Sequence, residues 1–210
     1  MNAFGLLKSA AFKGGYREAN FFDAKFERRR ARIMTQMGFY INVAECVGCK
    51  TCTVACKDKN DLEVGRNFRR VYDFEEGTFP RPSIYHVSIS CNHCDEPGCV
   101  QGCPTTAMHK RKEDGVVVVD HDKCVGCRYC EWNCPYGAPQ FNEEIGKMTK
   151  CDTCLDLREK GEDPVCVTSC IMRAIEFGPI DELRKKYGKN ADIKGIPSSN
   201  LTKPNLVIHA

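Results

Sequence analysis

The chain has 210 residues, of which 42% are hydrophobic and 28% charged, an ordinary balance for a globular protein of one or two domains. Residues 1–36 hold eight Lys or Arg against three acids, and the remaining residues hold 23 against 25. The positive charge therefore lies in the first segment, and the rest offers no basic surface for nucleic acid. The longest apolar run, Val116–Val119, is far shorter than the roughly 20 residues of a membrane helix, which excludes a direct membrane span.

The first segment, residues 1–36, contains the basic run Glu27–Arg32 but no apolar stretch behind it. A secretory or twin-arginine signal needs that stretch, so we expect no signal peptide here. We interpret the segment as an N-terminal extension that is disordered, or as a wrongly assigned start with Met34 or Met37 as the true first residue. A specific contact with a membrane or a partner is the alternative.

Beyond this extension, short strands and turns alternate with cysteine-rich loops. Aromatic and β-branched residues, alternation of apolar and polar residues, and Pro or Gly breaks predict the elements. We expect strands at Gly38–Val43, Val71–Phe74, Ser83–Ser90 and Val116–Asp120, a helical turn at Thr105–His109, and helices at Leu155–Gly161 and Ile180–Tyr187.

Sixteen cysteines fall into four runs of four, which is far from ordinary for 210 residues. The first run is Cys46, Cys49, Cys52 and Cys56; the second is Cys91, Cys94, Cys99 and Cys103; the third is Cys124, Cys127, Cys130 and Cys134; the fourth is Cys151, Cys154, Cys166 and Cys170.

The third run identifies the chemistry. Its gaps of two, two and three residues, followed by Pro135, are those of bacterial ferredoxins, in which three thiolates bind one cubane and the fourth binds another cluster. Disulfides are disfavoured because such closely spaced thiols make poor structural links. Zinc is the next alternative, but zinc takes four thiolates in two pairs and has no use for a triplet followed by Cys-Pro. A zinc-stapled scaffold remains a remote alternative.

Pairing the runs gives the architecture. The second and third runs lie close together with a strand and turn between them, as in a two-cluster ferredoxin, which leaves the first and fourth runs to pair. The expected ligand sets are Cys46, Cys49, Cys52 and Cys170; Cys151, Cys154, Cys166 and Cys56; Cys91, Cys94, Cys99 and Cys134; and Cys124, Cys127, Cys130 and Cys103.

We therefore predict an α+β fold in which one ferredoxin-like two-cluster unit is inserted into another, with long connecting loops. Residues 37–82 plus 146–178 form the outer unit and residues 83–145 the inserted unit. Residues 179–210 are predicted to be a C-terminal docking arm.

Four 4Fe-4S clusters without a catalytic constellation indicate electron transfer. The sequence has no Gly-rich dinucleotide turn and no Ser, His and acid arrangement, so we expect no catalytic residues. His93 is expected to be a surface residue or a modest tuner of potential, since a Rieske site needs two His ligands. Tyr129, Trp132 and Tyr136 are expected to pack against clusters and exclude water.

Several stretches go beyond cysteine spacing, notably Ser88–Asp95, Cys134–Gln140, Met148–Asp152 and Glu176–Ile180. With these, residues 38–208 resemble the four-cluster electron-transfer subunits of molybdopterin oxidoreductases, and within that family the iron-sulfur subunits of anaerobic dimethyl sulfoxide reductases. Related nitrate reductase subunits have Trp at the position of Cys127, formate dehydrogenase subunits usually add a membrane helix, and residues 1–36 depart from the family.

The resemblance implies a non-catalytic subunit with two partners. Electrons would pass from a quinol-oxidising integral membrane anchor subunit, along the clusters, to a molybdopterin-containing catalytic subunit that reduces sulfoxides or N-oxides. It would be membrane-associated through these partners, on the periplasmic face by co-export or on the cytoplasmic face. A ferredoxin-like subunit of a hydrogenase or formate-linked complex is the alternative.

Overall fold

The computed structural model describes residues 35–210, which have a small mixed α/β architecture. The predicted extension 1–36 therefore lies, apart from its last two residues, outside the described part. Within residues 35–210 the elements are β1 (Met37–Asn42), α1 (Thr51–Lys59), β2 (Arg70–Glu76), β3 (Ser83–Ile89), α2 (Gly98–Gln101), β4 (Met108–Lys110), β5 (Val117–Val119), α3 (Tyr129–Trp132), β6 (Gln140–Asn142), β7 (Lys147–Thr149), α4 (Leu155–Arg158), α5 (Val165–Thr168), β8 (Ile175–Pro179), α6 (Ile180–Tyr187), a 3₁₀ turn (Ser199–Leu201) and β9 (Leu206–His209).

Strand β1 is the centre of a three-stranded sheet, paired antiparallel with β8 and parallel with β9. Side chains alternate between its two faces, as the strand period of two requires. Phe39 and Ile41 pack on one face in the main core, while Tyr40 packs on the other against Ile180 and Leu183 of α6. This burial on both faces explains why the middle of the strand, Phe39–Ile41, is apolar at every position. The predicted strand Gly38–Val43 is confirmed.

The remaining strands form three separate hairpins, β2 with β3, β4 with β5 and β6 with β7. The strands predicted at Val71–Phe74 and Ser83–Ser90 are the two arms of the first hairpin, and Val87 and Ile89 of its second arm lie in the main core. Each hairpin leads into or out of a cysteine run. No helix in the described range is long and apolar enough to span a membrane.

The helical turn predicted at Thr105–His109 is wrong. Met108–Lys110 is a strand that pairs with Val117–Val119. Thr106 has a φ of 57°, and a left-handed residue ends a helical turn. The Met108 side chain is then buried against Val117, so packing in a small core determines the strand.

The C-terminal segment packs into the core of the protein. Residues 179–210, predicted as a docking arm, contribute α6 and β9 to the central sheet and its packing. Just before β9, the buried Asn205 side chain donates to the His93 carbonyl over 2.8 Å. The C-terminal segment thus reaches back to the second cysteine run.

Candidate metal centres

All sixteen cysteines lie in the described range, and none of them forms a disulfide. Most are buried or half-buried, and only Cys49 and Cys127 are exposed. These two occupy the same place, second in the first and third runs. The runs therefore differ in how far their thiols reach the surface.

The four loops share one backbone feature. In every run the residue before the second cysteine has a positive φ, a conformation that curls the loop so that flanking side chains share one side. These residues are Gly48 (69°), His93 (45°), Gly126 (70°) and Thr153 (67°).

Glycine is required at two of these positions because there is no room for a side chain. A Cβ on Gly48 would lie 2.6 Å from Nδ1 of His86, and one on Gly126 would lie 2.5 Å from the Gly146 carbonyl oxygen. His86 is itself held by a 2.8 Å contact between Nδ1 and the Asp73 carboxylate. Neighbouring segments therefore pack closely against the loops of the first and third cysteine runs.

Two cavities are each lined by four thiols. Cys46, Cys49, Cys52 and Cys170 line one of them, which we name site 1. Cys56, Cys151, Cys154 and Cys166 line the other, which we name site 2. Each cavity thus combines three cysteines of one run with the last cysteine of the other. Pairing of β1 with β8 brings the first and fourth runs to the same place.

Two further groups of four cysteines are identified because, in each group, neighbouring thiols raise the pKa of a buried cysteine. Burial raises the pKa of Cys94 to about 12, and the neighbouring Cys91 and Cys134 thiols add to the shift. Cys99, where burial again dominates, is affected by these same three thiols. We name this group, Cys91, Cys94, Cys99 and Cys134, site 3.

Site 4 is found in the same way. Burial raises the pKa of Cys130 to about 11, and the Cys103, Cys124 and Cys127 thiols add to the shift. Thiols with such pKa values are protonated at neutral pH, so a metal must displace a proton to bind them. Site 4 comprises Cys103, Cys124, Cys127 and Cys130.

Hydrogen-bond donors point at the sulfurs, as expected where sulfur is to carry negative charge. Backbone amides donate from Met108 to Cys103, Met148 to Cys124 and Thr153 to Cys151 over 3.4 Å, and from Ala138 to Cys134 over 3.5 Å. The Thr202 hydroxyl donates to Cys94 over 3.1 Å.

Two buried cations lie among the thiols, Arg69 at 1% exposure and Lys150 at 6%. Sequence reasoning missed both. Lys150 had a weak signal, because it immediately precedes Cys151, but the exposed Lys123 precedes Cys124 in the same way. Arg69 had none, because its burial depends on packing against residues distant in sequence.

No three His, Cys, Asp or Glu side chains in residues 35–210 converge on a single metal ion. The four thiolates of a cubane bind four different irons, so they surround a volume rather than meet at one point. Cavities lined by four thiols with amide donors to sulfur fit that requirement.

The expectation that His93 is a surface residue is wrong, since its side chain is 1% exposed. Its Nδ1 accepts a 3.0 Å hydrogen bond from the Val117 amide. Burial, followed by the charges of Lys150 and Lys110, holds the pKa of His93 well below its usual value, so the ring is neutral. Nδ1 lies 3.9 Å from the Cys91 sulfur.

The aromatic residues near the ligands divide into two kinds. Tyr136 is buried, as expected of a residue that excludes water. Trp132 is 73% exposed and Tyr129 49% exposed, so these two do not shield a buried site in the isolated protein. They form an edge-to-face pair on α3, with ring centroids 5.5 Å apart.

Comparison with known proteins decides the family. Residues 83–180 match the family model described as a 4Fe-4S dicluster domain. The sequence is 53% identical over 184 residues to the B chain of anaerobic dimethyl sulfoxide reductase from Escherichia coli (strain K12), covering 84% of this protein and 89% of that relative. The protein belongs to the family of anaerobic dimethyl sulfoxide reductase B chains.

Other relatives agree with this assignment. The B chain of anaerobic dimethyl sulfoxide reductase from Haemophilus influenzae is 48% identical, covering 83% of this protein and 89% of that one. The B subunit of sulfite dehydrogenase from Allochromatium vinosum is 42% identical, covering 71% of each. As a member of the B-chain family, the protein has 4Fe-4S clusters as its cofactors, and its sixteen cysteines fit this chemistry.

Proposed function

We propose that this protein is a non-catalytic electron-transfer subunit that holds four 4Fe-4S clusters in sites 1 to 4. It would relay electrons from a quinol-oxidising membrane anchor subunit to a molybdopterin catalytic subunit that reduces dimethyl sulfoxide or related sulfoxides and N-oxides. The observation that supports this most strongly is the gathering of sixteen thiols into four groups of four.

The proposed ligands follow the ferredoxin rule that the fourth cysteine of a run serves the other cluster. Cys170 joins the first run, Cys56 the fourth, Cys134 the second and Cys103 the third. This exchange supports a nested arrangement in which the unit 83–145 is inserted into a unit made from 37–82 and 146–178.

The exposed cysteines support entry of electrons at one of two sites and their exit at the other. Site 1 has an exposed thiol at Cys49 and site 4 has one at Cys127, whereas no thiol of sites 2 and 3 is exposed. Each cluster, when bound, accepts or gives up one electron without making or breaking a bond to substrate. The surrounding protein holds the ligands, donates hydrogen bonds to sulfur and limits access of water.

The names of the relatives indicate the chemistry of the catalytic partner. The relative from Escherichia coli is named for dimethyl sulfoxide reductase, which supports a sulfoxide or N-oxide as terminal acceptor. The relative from Allochromatium vinosum is named for sulfite dehydrogenase, so sulfite chemistry at the partner is a second candidate. Association with the membrane would come through the anchor subunit, and washed membranes lacking that anchor should release the protein.

Metal analysis tests the cluster content. Protein purified without oxygen should contain about sixteen iron atoms and sixteen acid-labile sulfides per chain, four for each of four cubanes. Four zinc atoms in their place would support a zinc-stapled scaffold and overturn the proposal.

Deletion of the protein tests its role. Cells lacking it should lose quinol-linked reduction of dimethyl sulfoxide, while reduction driven by an artificial dye at the catalytic subunit survives. Sulfite and an N-oxide, assayed in parallel, distinguish the candidate partners. Unchanged quinol-linked activity toward all three would contradict a relay function.

A further inference from the structure

Arg69 is the largest fully buried side chain in the described part of the protein. An isolated buried charge is costly, because the protein interior replaces water poorly, so such a group normally has a charged partner. Within residues 35–210, Arg69 forms no ion pair with a carboxylate. Its hydrogen-bond acceptors are uncharged serine hydroxyl and carbonyl oxygens. The charge that compensates Arg69 must therefore come from something else.

Its hydrogen bonds hold the guanidinium between two short side chains. One Nη donates to the Ser88 hydroxyl over 3.1 Å and to the Ser88 carbonyl over 3.3 Å, and the other donates to the Ser90 hydroxyl over 2.9 Å. The group also stacks on Phe39, 4.7 Å from the ring centroid. Nε is buried without a partner. These contacts hold the guanidinium in position.

The two serines face different cluster sites. Ser88 lines site 1, and its hydroxyl lies 3.4 Å from the Cys52 sulfur. Ser90 and Arg69 itself line site 2 with its four thiols. Arg69 therefore stands between the two cavities and contacts the lining of both.

The sulfurs proposed as ligands of both sites lie around Arg69. Cys56, Cys151, Cys154 and Cys166 line the same cavity as Arg69. The Cys52 sulfur lies 3.4 Å from the Ser88 hydroxyl that accepts from Arg69. A cysteine that binds iron is deprotonated, so ligand sulfur supplies the missing negative charge on two sides of the guanidinium.

A fixed cation in this position acts on reduction itself. One-electron reduction makes a cluster more negative by one charge, without a proton or a broken bond, and cluster potentials respond to net charge, hydrogen bonds and exposure. A buried positive charge favours the more negative state, and low polarity strengthens the effect.

We propose that Arg69 is a positioning residue shared by sites 1 and 2, which compensates their ligand charge and raises the reduction potential of both clusters together. This inference rests on the proposed function, because it requires clusters in both sites. It assigns one residue an influence on two of the four clusters and none on the other two.

The test is a redox titration of the complete complex, followed by electron paramagnetic resonance. Arg69→Met should shift the potentials of two clusters downward, each by about a tenfold change in the reduction equilibrium, or about 59 mV for a one-electron couple. The other two should keep their potentials. Arg69→Lys, which retains a positive charge, should stay close to the unaltered protein. Arg81→Met removes the same charge from an exposed position and should shift nothing.

Each other outcome has a definite meaning. No shift in Arg69→Met, an equal shift of all four clusters, or an equal shift in Arg69→Lys would overturn the proposal. If Arg69→Met fails to assemble, assembly of Arg69→Lys supports a requirement for charge, and failure of Arg69→Lys as well overturns it. Iron and sulfide content of the unaltered protein tests the four-cluster proposal separately.

Discussion

The Thr202 hydroxyl donates a 3.1 Å hydrogen bond to the Cys94 sulfur, and both side chains are buried. Sequence separates the two residues by 108 positions, and the contact exists because the C-terminal segment returns to the second cysteine run. A hydrogen bond to a ligand sulfur stabilises the more negative, reduced cluster. We therefore expect Thr202 to act on site 3, in contrast to a residue placed between two sites.

Replacing Thr202 with Val removes this donor at nearly constant volume. We predict that Thr202→Val lowers one cluster potential by roughly 40 mV, the equivalent of about 1 kcal/mol for one hydrogen bond. Iron content should not change. Redox titration measures the shift, and Thr202→Ser, which keeps a hydroxyl, is the matched control. A shift in Thr202→Ser as large as in Thr202→Val would mean that packing, rather than the donor, sets the potential.

Cys127 is the exposed ligand proposed for site 4, and it stands second in its run. We predict that Cys127→Ser removes one corner iron while Cys103, Cys124 and Cys130 retain the others, giving a three-iron cluster at higher potential. Oxidised protein should show a new paramagnetic signal of about one spin per chain. Quinol-linked turnover should fall, because an electron leaves a cluster of higher reduction potential more slowly.

The control for this substitution is Val125→Ala, which changes an exposed neighbour in the same loop without touching a thiol. It should leave the cluster and the turnover unaltered. If Cys127→Ser keeps full quinol-linked activity and gives no new signal, Cys127 is not a ligand, and the sets proposed for sites 3 and 4 must be redrawn.

Individual residues were predictable from sequence only where the chemistry itself fixes the spacing. Ligand triplets are local, so their gaps identify cluster loops directly. His93 lies inside such a loop, yet its burial depends on Val117 and Asn205, which are remote in sequence. Arg69 is comparable, because only the folded hairpin brings it to Ser88 and Ser90. The prediction that Trp132 excludes water failed for a local reason. An apolar side chain in a four-residue helix can equally face outward.

At the scale of elements, β9 forms one edge of the central three-stranded sheet. It pairs with β1 in parallel, with Ile208 opposite Ile41, and Ile208 is 2% exposed in the main core. That core also contains Cys52, Cys166 and Cys170, so the packing of the sheet and the position of the ligands depend on the same residues. The last strand in sequence thus supports the first cluster loop.

We predict that Ile208→Ala lowers the stability of the folded protein by about 2–5 kcal/mol, through lost burial and an unfilled cavity. Anaerobic denaturation by guanidinium, followed by loss of visible absorbance, should show a lower midpoint than the unaltered protein. Leu201→Ala truncates a residue that is 61% exposed and should change stability by less than about 0.5 kcal/mol. Equal midpoints for the two variants would show that β9 contributes little to the core.

Strand prediction succeeded where the pattern was long or continuously β-branched and failed where it was neither. The alternating segment Ser83–Ile89 and the segment around β1 were identifiable because each extends over at least six residues. The strand predicted at Val116–Asp120 is confirmed as β5, whereas its partner β4 has three residues, too few positions for a period. Their pairing follows from the buried contact of Met108 with Val117, which local preference does not reveal.

At the scale of the whole molecule, we infer one order for the four proposed sites from the residues that lie between them. Arg69 links sites 1 and 2. Burial, then the Cys56 and Cys91 thiols, raises the pKa of Cys151, which links site 2 to site 3. Cys99 of site 3 and Cys130 of site 4 share a small core with Met108. The order 1, 2, 3, 4 places the two sites with exposed thiols at opposite ends of the series.

Lys150 occupies the middle of this series. Its ammonium group donates to the Cys151 carbonyl over 2.6 Å and to the Val117 carbonyl. Burial raises the pKa of Cys99, Cys134 and Cys151, and the positive charge of Lys150 opposes that rise in all three. Two of these thiols belong to site 3 and one to site 2. Lys150 is therefore placed to act on the middle pair of clusters.

We predict that Lys150→Met lowers the potentials of the clusters in sites 2 and 3 by about 59 mV, a tenfold change in each reduction equilibrium, and leaves sites 1 and 4 unchanged. Lys123→Met is the matched control, because Lys123 also precedes the first cysteine of a run but is exposed and paired with Asp120. It should shift no potential. Site 2 is the one site next to both buried cations, so the double variant Arg69→Met, Lys150→Met should lower its potential more than either single variant does. If the double variant instead matches one single variant at site 2, the two cations do not act on the same cluster, and the order of sites must be revised.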